Sequence, residues 1–260
     1  MRLSFISVLS LLIPAAAHTQ GSVPTFQIVA GQTSYTVAGH DPAQEGTANI
    51  PTLIVPLQLS FETKKIAGKP FVMDAVPDVR SILRSPIFAN FAFPGGRPTQ
   101  YGDALLRSTF PAHPGWHTLL AKPEVRPVKI AVPAGAGYVL TSAKSGHSVA
   151  IVDLEWLQRE LFRQVSKQDG RLVLAVSHNT AYYALGDATV CCSWGTHGID
   201  VGTSNSFVLA SYIGAAPSVV NDRDIQPITQ QLVQFLKDPL HDPLFRGGRG
   251  AHPPSPPLTE

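Results

Sequence analysis

Two adjacent cysteines, Cys191 and Cys192, are the only cysteines of the chain, with Trp194 and His197 shortly after them. Adjacent Cα atoms lie ~3.8 Å apart across a trans peptide bond, whereas ordinary disulfides span about 4.4–6.8 Å. A disulfide between neighbours is therefore feasible only in a tight turn. We expect this vicinal disulfide to stiffen the loop, while free thiols, metal ligation and a nucleophilic cysteine remain alternatives.

Histidines and carboxylates near this loop are the other side chains that could take part in metal binding or catalysis. The sequence contains no H-E-x-x-H, H-x-H or C-x-x-C motif. His178 ends an apolar run, and it would approach His197 if the two segments paired as a hairpin-like unit. Weak candidates for zinc ligation follow from this arrangement: His178, His197, Asp187, Asp200 and His241. Because a histidine at a strand end more often makes a local hydrogen bond, we expect no metal and no cofactor, with zinc as the alternative.

The N-terminal segment has the pattern of a secretory signal peptide over residues 1–20. Arg2 precedes an apolar run, which ends at a stretch of alanines (15–17). The apolar run is too short for a membrane-spanning helix, and no later stretch is both long and apolar enough, so we expect no transmembrane segment. The signal-peptide pattern predicts a secreted or periplasmic protein. With 15% charged residues and a formal net charge of +2, the chain lacks the basic stripe of a nucleic-acid-binding protein.

The remaining pattern predicts one globular domain over residues 21–245. Its first half (21–146) is rich in short β-type runs, including an interrupted strand with Pro56 at an edge or a bend. Its second half (147–245) combines strands with helices, and a Gly- and Pro-rich stretch (246–260) is predicted to be disordered.

The second half of the chain (147–245) predicts the fold class. A strand–helix–strand unit is predicted at 147–177, with Asp153 as the helix N-cap and apolar residues at helical spacing after it. A C-terminal helix is predicted at 224–237, capped by Asp224, with Pro227 in its first turn. Together these elements predict an α+β fold with a mixed sheet and a packed helix.

The stretch "VLAVSHNTAYYALGDATVCCSWGTHG", followed by "FVLASYIG" and "DIQPITQQLVQFLKDPL", resembles a group of secreted bacterial proteins. In that group the Cys-Cys loop precedes Gly-x-His, and a later helix carries a His-Glu-x-x-Glu pattern like the metal-binding helix of zincin-type metalloproteases. The resemblance covers about residues 147–245, and it implies a zincin-like fold.

The chain departs from that pattern at three positions. The helix histidine falls on Gln230, and the two glutamates fall on Gln231 and Gln234. An amide is a poor zinc ligand, and Gln231 has no carboxylate with which to activate water. A solvated helix face explains the same residues without any such ancestry.

Three functions remain open from the sequence. The first is a secreted, non-catalytic relative of a zincin-like protease that binds a protein or peptide. Its binding candidates are the glutamines and residues of the preceding loops: Gln230, Gln231, Gln234, His178, His197, Trp194, Tyr182 and Tyr183. The second is an active secreted hydrolase with a rearranged metal site, and the third is a structural, envelope-associated protein.

Overall fold

The structure, a computed structural model, describes residues 22–30, 32–94, 96–168, 170–214 and 224–240. The predicted signal peptide (1–20), the predicted tail (246–260) and His241 lie outside these ranges. Within them the chain has an α+β fold, as its sequence predicts.

Fifteen strands and four helices lie in the described ranges. The first half of the chain contributes eight strands: β1 Thr25–Ala30, β2 Thr33–Ala38, β3 Gly46–Ile50, β4 Thr52–Ile66, β5 Lys69–Asp74, β6 Trp116–Leu120, β7 Glu124–Val125 and β8 Val128–Val132. Seven more follow: β9 Gly137–Thr141, β10 Ser148–Asp153, β11 Leu172–His178, β12 Thr180–Tyr183, β13 Cys191–Ser193, β14 Gly195–Ile199 and β15 Ser206–Tyr212. The helices are α1 Val79–Arg84, α2 Tyr101–Thr109, α3 Leu154–Gln164 and α4 Gln226–Lys237.

The largest sheet has seven strands, with the order β14-β15-β11-β4-β5 and with β7 and β8 also paired to β4. Its centre is parallel, because β11 pairs in parallel with both β15 and β4. Runs of valine and leucine form these strands, as expected where both faces of a sheet are covered. The strand at 52–66 thus lies at the centre of the sheet, although its sequence contains a proline.

Pro56 does not place β4 at an edge, because β4 pairs with β11 on one side and with β7 and β8 on the other, so the expectation of an edge was wrong. The ladder between β4 and β7 ends at Ile54, and the ladder between β4 and β8 begins at Leu57. Pro56 lies between the two ladders, where a residue without an N–H group leaves no donor missing on that side.

Alternate side chains of the central strands enter two different cores. Leu174 and Val176 pack with Val208 and with the apolar face of α4. Val173 and Ala175 point the other way and pack with α3. The two-residue period of a strand therefore separates an α4 side from an α3 side of the sheet.

The predicted strand–helix–strand unit is present as β10, α3 and β11. Asp153 caps α3, since its Oδ1 accepts a hydrogen bond from the Trp156 backbone N at 2.8 Å. The two strands join different sheets, however. β10 pairs with β9 and β12 in a four-stranded sheet, so α3 lies between this smaller sheet and the large one.

The predicted C-terminal helix begins at Gln226 rather than at 224, and Pro227 occupies its first turn as expected. Asp224 does not cap it, which corrects the prediction. Its backbone instead forms an isolated bridge with Ile213, at a positive φ of 57°. No helix in the described ranges is long and apolar enough to cross a membrane.

Candidate functional site

Three of the four glutamines of α4, the ones singled out by the sequence, separate into two faces, because successive residues of a helix point about 100° apart. Gln230 and Gln234 are exposed, one helical turn apart. Gln231 lies on the inner face and accepts a hydrogen bond from His197 Nδ1 at 2.9 Å. The predicted candidates therefore do not form one cluster.

Close approach of α4 to β14 is what allows this inner contact. A Cβ atom on Gly195 would lie 2.8 Å from Gln231 Cγ and 2.8 Å from Ala210 Cβ. Glycine is thus the residue that fits between the helix and the sheet edge. His197 is buried with 5% of its surface exposed, and its bond to Gln231 ties α4 to β14.

A groove of about 440 Å³ runs along the outer face of α4. Gln230 and Gln234 form one wall with Gln226, Thr229 and Val233, and Tyr101 lies opposite. Tyr101 reaches this position because α2 packs directly on α4: a Cβ on Gly102 would lie 2.6 Å from Leu236 Cδ1.

Tyr101 also borders a second hollow of about 440 Å³ on its other side. This hollow is largely apolar and includes Phe93, Pro94, Leu105, Pro111 and Pro114. The rings of Phe93 and Tyr101 are 5.9 Å apart between centroids. Tyr101 is 37% exposed and thus forms a ridge between a polar and an apolar hollow.

His178 lies at the carboxyl end of β11, where its Nδ1 and Asp78 Oδ2 are 2.7 Å apart. With Nδ1–H donating to the carboxylate, Nε2 carries the lone pair of the neutral ring. The imidazole stacks on Tyr212, with 6.2 Å between ring centroids. Burial, followed by a hydrogen bond to Asp224, raises the pKa of the Tyr212 hydroxyl. These groups form a polar cluster at the end of two parallel strands, the region of an open sheet where ligands commonly bind.

The predicted approach of His178 to His197 does not occur. His178 of β11 pairs with Tyr212 of β15, and His197 of β14 pairs with Val208 on the other side of β15. Tyr212 and Val208 are four residues apart along β15, a distance of about 13 Å. One metal ion cannot bridge such a distance, since zinc–nitrogen bonds are about 2.0–2.1 Å long.

The two carboxylates predicted beside these histidines serve local turns. Asp187 Oδ1 accepts hydrogen bonds from the backbone N and the hydroxyl of Thr189, and the hydroxyl bond in particular lowers the pKa of Asp187. Asp200 Oδ2 is bonded in the same manner by Thr203. In the part of the chain that the structure describes, no group of three or more histidine, cysteine or acidic side chains is placed to hold a metal.

The cysteine loop forms the vicinal disulfide that its sequence predicts. Cys191 and Cys192 are bonded to each other and exposed on β13, at the edge of the smaller sheet. Trp194 is partly buried against the apolar cluster that contains Tyr183. The disulfide thus links two neighbouring residues of the same loop. It leaves no free thiol in the described ranges.

The two tyrosines after His178 are buried in the protein. Tyr182 is 1% exposed, and its hydroxyl lies 2.7 Å from Ser177 Oγ. Burial raises the pKa of Tyr182 well above its ordinary range. Tyr183 is also buried, and burial is again the main reason that its pKa is raised. The exposed aromatic residue beside the glutamines is instead Tyr101, which the sequence analysis missed.

Comparison with known proteins finds no relative: no family model, no curated protein and no solved structure matches the chain.

Proposed function

We propose that the chain is a secreted, non-catalytic binding protein that holds an extended peptide along the outer face of α4. The observation that carries the proposal is the pairing of two exposed amides, Gln230 and Gln234, with the exposed ring of Tyr101 across one groove. This arrangement is consistent with a zincin-like ancestry in which amides have replaced the metal-binding side chains, although the proposal does not need that ancestry.

Amide side chains suit a peptide backbone. Each glutamine offers two N–H donors and a carbonyl acceptor, so each can pair with both the C=O and the N–H groups of a peptide unit. Their spacing of one helical turn, about 5.4 Å, lets two amides contact neighbouring parts of one extended segment.

The apolar hollow beyond Tyr101 supplies the complementary contacts. Phe93, Leu105 and Pro111 offer apolar surface of the kind that buries a ligand side chain. A peptide that crosses Tyr101 would thus lay its backbone on the glutamines and place an apolar side chain beyond the ridge.

The same groove argues against hydrolysis. Its described lining contains no carboxylate and no imidazole, so no general base is at hand to activate a water molecule. The alternative function, an active hydrolase, would need a general base outside this groove, such as the imidazole of the Asp78–His178 pair.

A displayed library of random twelve-residue peptides, selected on the full chain, tests the proposal. Enriched peptides are synthesised, and their affinities are measured by isothermal titration calorimetry. We expect Tyr101→Ala to weaken binding at least tenfold, and Gln230→Ala and Gln234→Ala each to weaken it severalfold. Gln44→Ala, an exposed glutamine outside the groove, is the matched control and should bind as the wild type does.

Two results would overturn the proposal. Failure to enrich any peptide, or affinities that the three groove variants leave unchanged, would remove the groove as a binding site and favour the structural, envelope-associated role. Recovery of cleaved peptides by mass spectrometry, with cleavage lost in His178→Ala, would replace binding with hydrolysis.

A further inference from the structure

A separate hollow of about 470 Å³ lies on the α3 side of the large sheet. One wall is a single face of α3, formed by Glu155, Gln158, Arg159 and Phe162 at positions i, i+3, i+4 and i+7. The other wall is the turn at 200–203 between β14 and β15. The peptide groove proposed above lies on the opposite face of the sheet, so the two sites are separate.

Asp200 places a carboxylate in this hollow and forms no ion pair among the described residues, although Arg159 and Arg163 also line the hollow. It is only 9% exposed. Its carboxylate accepts from the Thr203 backbone N and hydroxyl at 2.8 and 2.7 Å, and from Gln158 Nε2 at 3.3 Å. All of these donors are neutral, and buried charges are ordinarily paired with an opposite charge. The site is therefore complementary to a cationic group.

Gln158 supplies an unused acceptor beside that charge. Its residue surface is 9% exposed, and the bond from its Nε2 to Asp200 fixes the orientation of the amide. Its Oε1 has no hydrogen-bond partner among the described residues. An unsatisfied buried acceptor destabilises a folded protein, so a ligand donor that reaches this wall would satisfy a group that the described residues leave unpaired.

The outer part of the hollow has the opposite character. Arg159 is exposed and makes no ion pair within the described ranges. Phe162 is held by an edge-on contact with Phe207, with 5.4 Å between ring centroids, and Val201 is 88% exposed on the facing turn. A positive charge and an apolar surface thus lie within one cavity of the negative wall.

We propose that this hollow binds a free α-amino acid with an aliphatic side chain. The ammonium group would lie against Asp200 and Gln158, the carboxylate against Arg159, and the side chain against Phe162 and Val201. Each of the three parts of the ligand has a counterpart of matching charge or polarity, and the volume of the hollow is in the usual range for a small-molecule site.

Calorimetric titration of the full chain with three probes tests this assignment: L-leucine, N-acetyl-L-leucine, which lacks the ammonium, and L-leucinamide, which lacks the carboxylate. We expect L-leucine to bind at least tenfold more tightly than either analogue. Arg159→Gln should weaken leucine binding at least tenfold while leaving leucinamide affinity unchanged, because only leucine presents a carboxylate to that position. Arg84→Gln, an exposed arginine on α1, is the control.

A second variant addresses the inner wall. Gln158→Met keeps the length of the side chain but removes the acceptor, and it should weaken leucine binding while leaving the circular dichroism spectrum unchanged. The proposal is overturned if leucine does not bind at millimolar concentration, if the three probes bind equally, or if a folded Arg159→Gln or Gln158→Met variant binds leucine as the wild type does. Peptide binding on the α4 side should be the same in these variants, which separates this test from that of the proposed function.

Discussion

Gln231 accepts a hydrogen bond from the buried imidazole of His197, with 2.9 Å between Oε1 and Nδ1. This contact joins the C-terminal helix to the edge strand of the large sheet. It also divides the glutamines of α4 between a structural role inside the fold and an exposed role outside it.

Replacement of Gln231 by leucine should destabilise the protein. The variant removes the acceptor of a buried N–H group, and such losses cost about 1–3 kcal/mol. Urea denaturation followed by circular dichroism measures the free energy of unfolding. Gln230→Leu is the matched control, since its side chain is exposed, and substitutions at such sites usually change stability by less than about 0.5 kcal/mol. Equal effects of the two variants would contradict the assigned roles.

Two histidines in place of Gln230 and Gln234 should create a zinc site. Side chains four residues apart on an exposed helix face are spaced to chelate one ion, as in the zinc-binding helices of metalloproteases. We expect the Gln230→His/Gln234→His variant to retain zinc after dialysis. Its thermal midpoint should also rise with added zinc, since a ligand at 100 times its Kd stabilises by about 2.7 kcal/mol.

The single variant Gln230→His is the control for that experiment. It carries one of the two histidines at the same exposed position and cannot chelate the ion with a pair, so its midpoint should respond little to zinc. Equal responses of both variants would show that the outward pairing of Gln230 with Gln234 is incorrect.

Stability should fall in alkaline solution because of Tyr182. Burial raises the pKa of its hydroxyl in the folded protein, whereas an unfolded chain releases the proton near pH 10. Below about pH 10 both states hold the proton, and the contribution of Tyr182 is fully present. As the pH rises further, the unfolded state loses its proton first, so the free energy of unfolding decreases.

Chemical denaturation at a series of pH values between neutral and about 11 checks this dependence. Tyr182→Phe should flatten the decrease above pH 10, at the cost of about 0.5–1.5 kcal/mol at neutral pH for the lost bond to Ser177. Tyr138→Phe, at an exposed position of β9, should leave the slope as it is. An unchanged slope in Tyr182→Phe would refute the prediction.

Alkylation should report the state of Cys191 and Cys192. Because the pair is bonded, the folded protein should take up no alkyl group without a reductant. Both residues are exposed, so a mild reductant should admit two alkyl groups without denaturation, and intact mass spectrometry counts them. Two alkyl groups in the absence of reductant would contradict the disulfide.

The parts of the fold that the sequence predicts are those set by neighbouring residues. Asp153 and the apolar residues after it predict α3 together with its cap, because a helix is specified by side chains three and four positions apart. The adjacent cysteines likewise predict their own bond. The same local pattern predicts Asp224 as a helix cap, but a backbone bridge with Ile213 holds it elsewhere.

The parts that the sequence does not predict depend on contacts between distant segments. Asp78 and His178 are 100 residues apart, and no local pattern connects them. The sequence does not single out Tyr101, because its segment predicts only a short helical turn. Its importance arises from Gly102, whose contact with Leu236 brings α2 against α4. A glycine at the start of this helix is the sequence feature that could have indicated the close approach.

The parallel pairing of β4, β11 and β15 has a consequence for the time at which the protein can fold. β4 begins at residue 52, whereas its neighbour β11 begins at 172 and β15 at 206. The central ladder therefore cannot close until the chain has been synthesised as far as residue 212, and pairing between such distant segments is intrinsically slow. A growing chain can pair β4 with β5 early, but the edge of β4 that later pairs with β11 stays open until residues 172–178 have been made, and such an unpaired edge is prone to aggregation during synthesis.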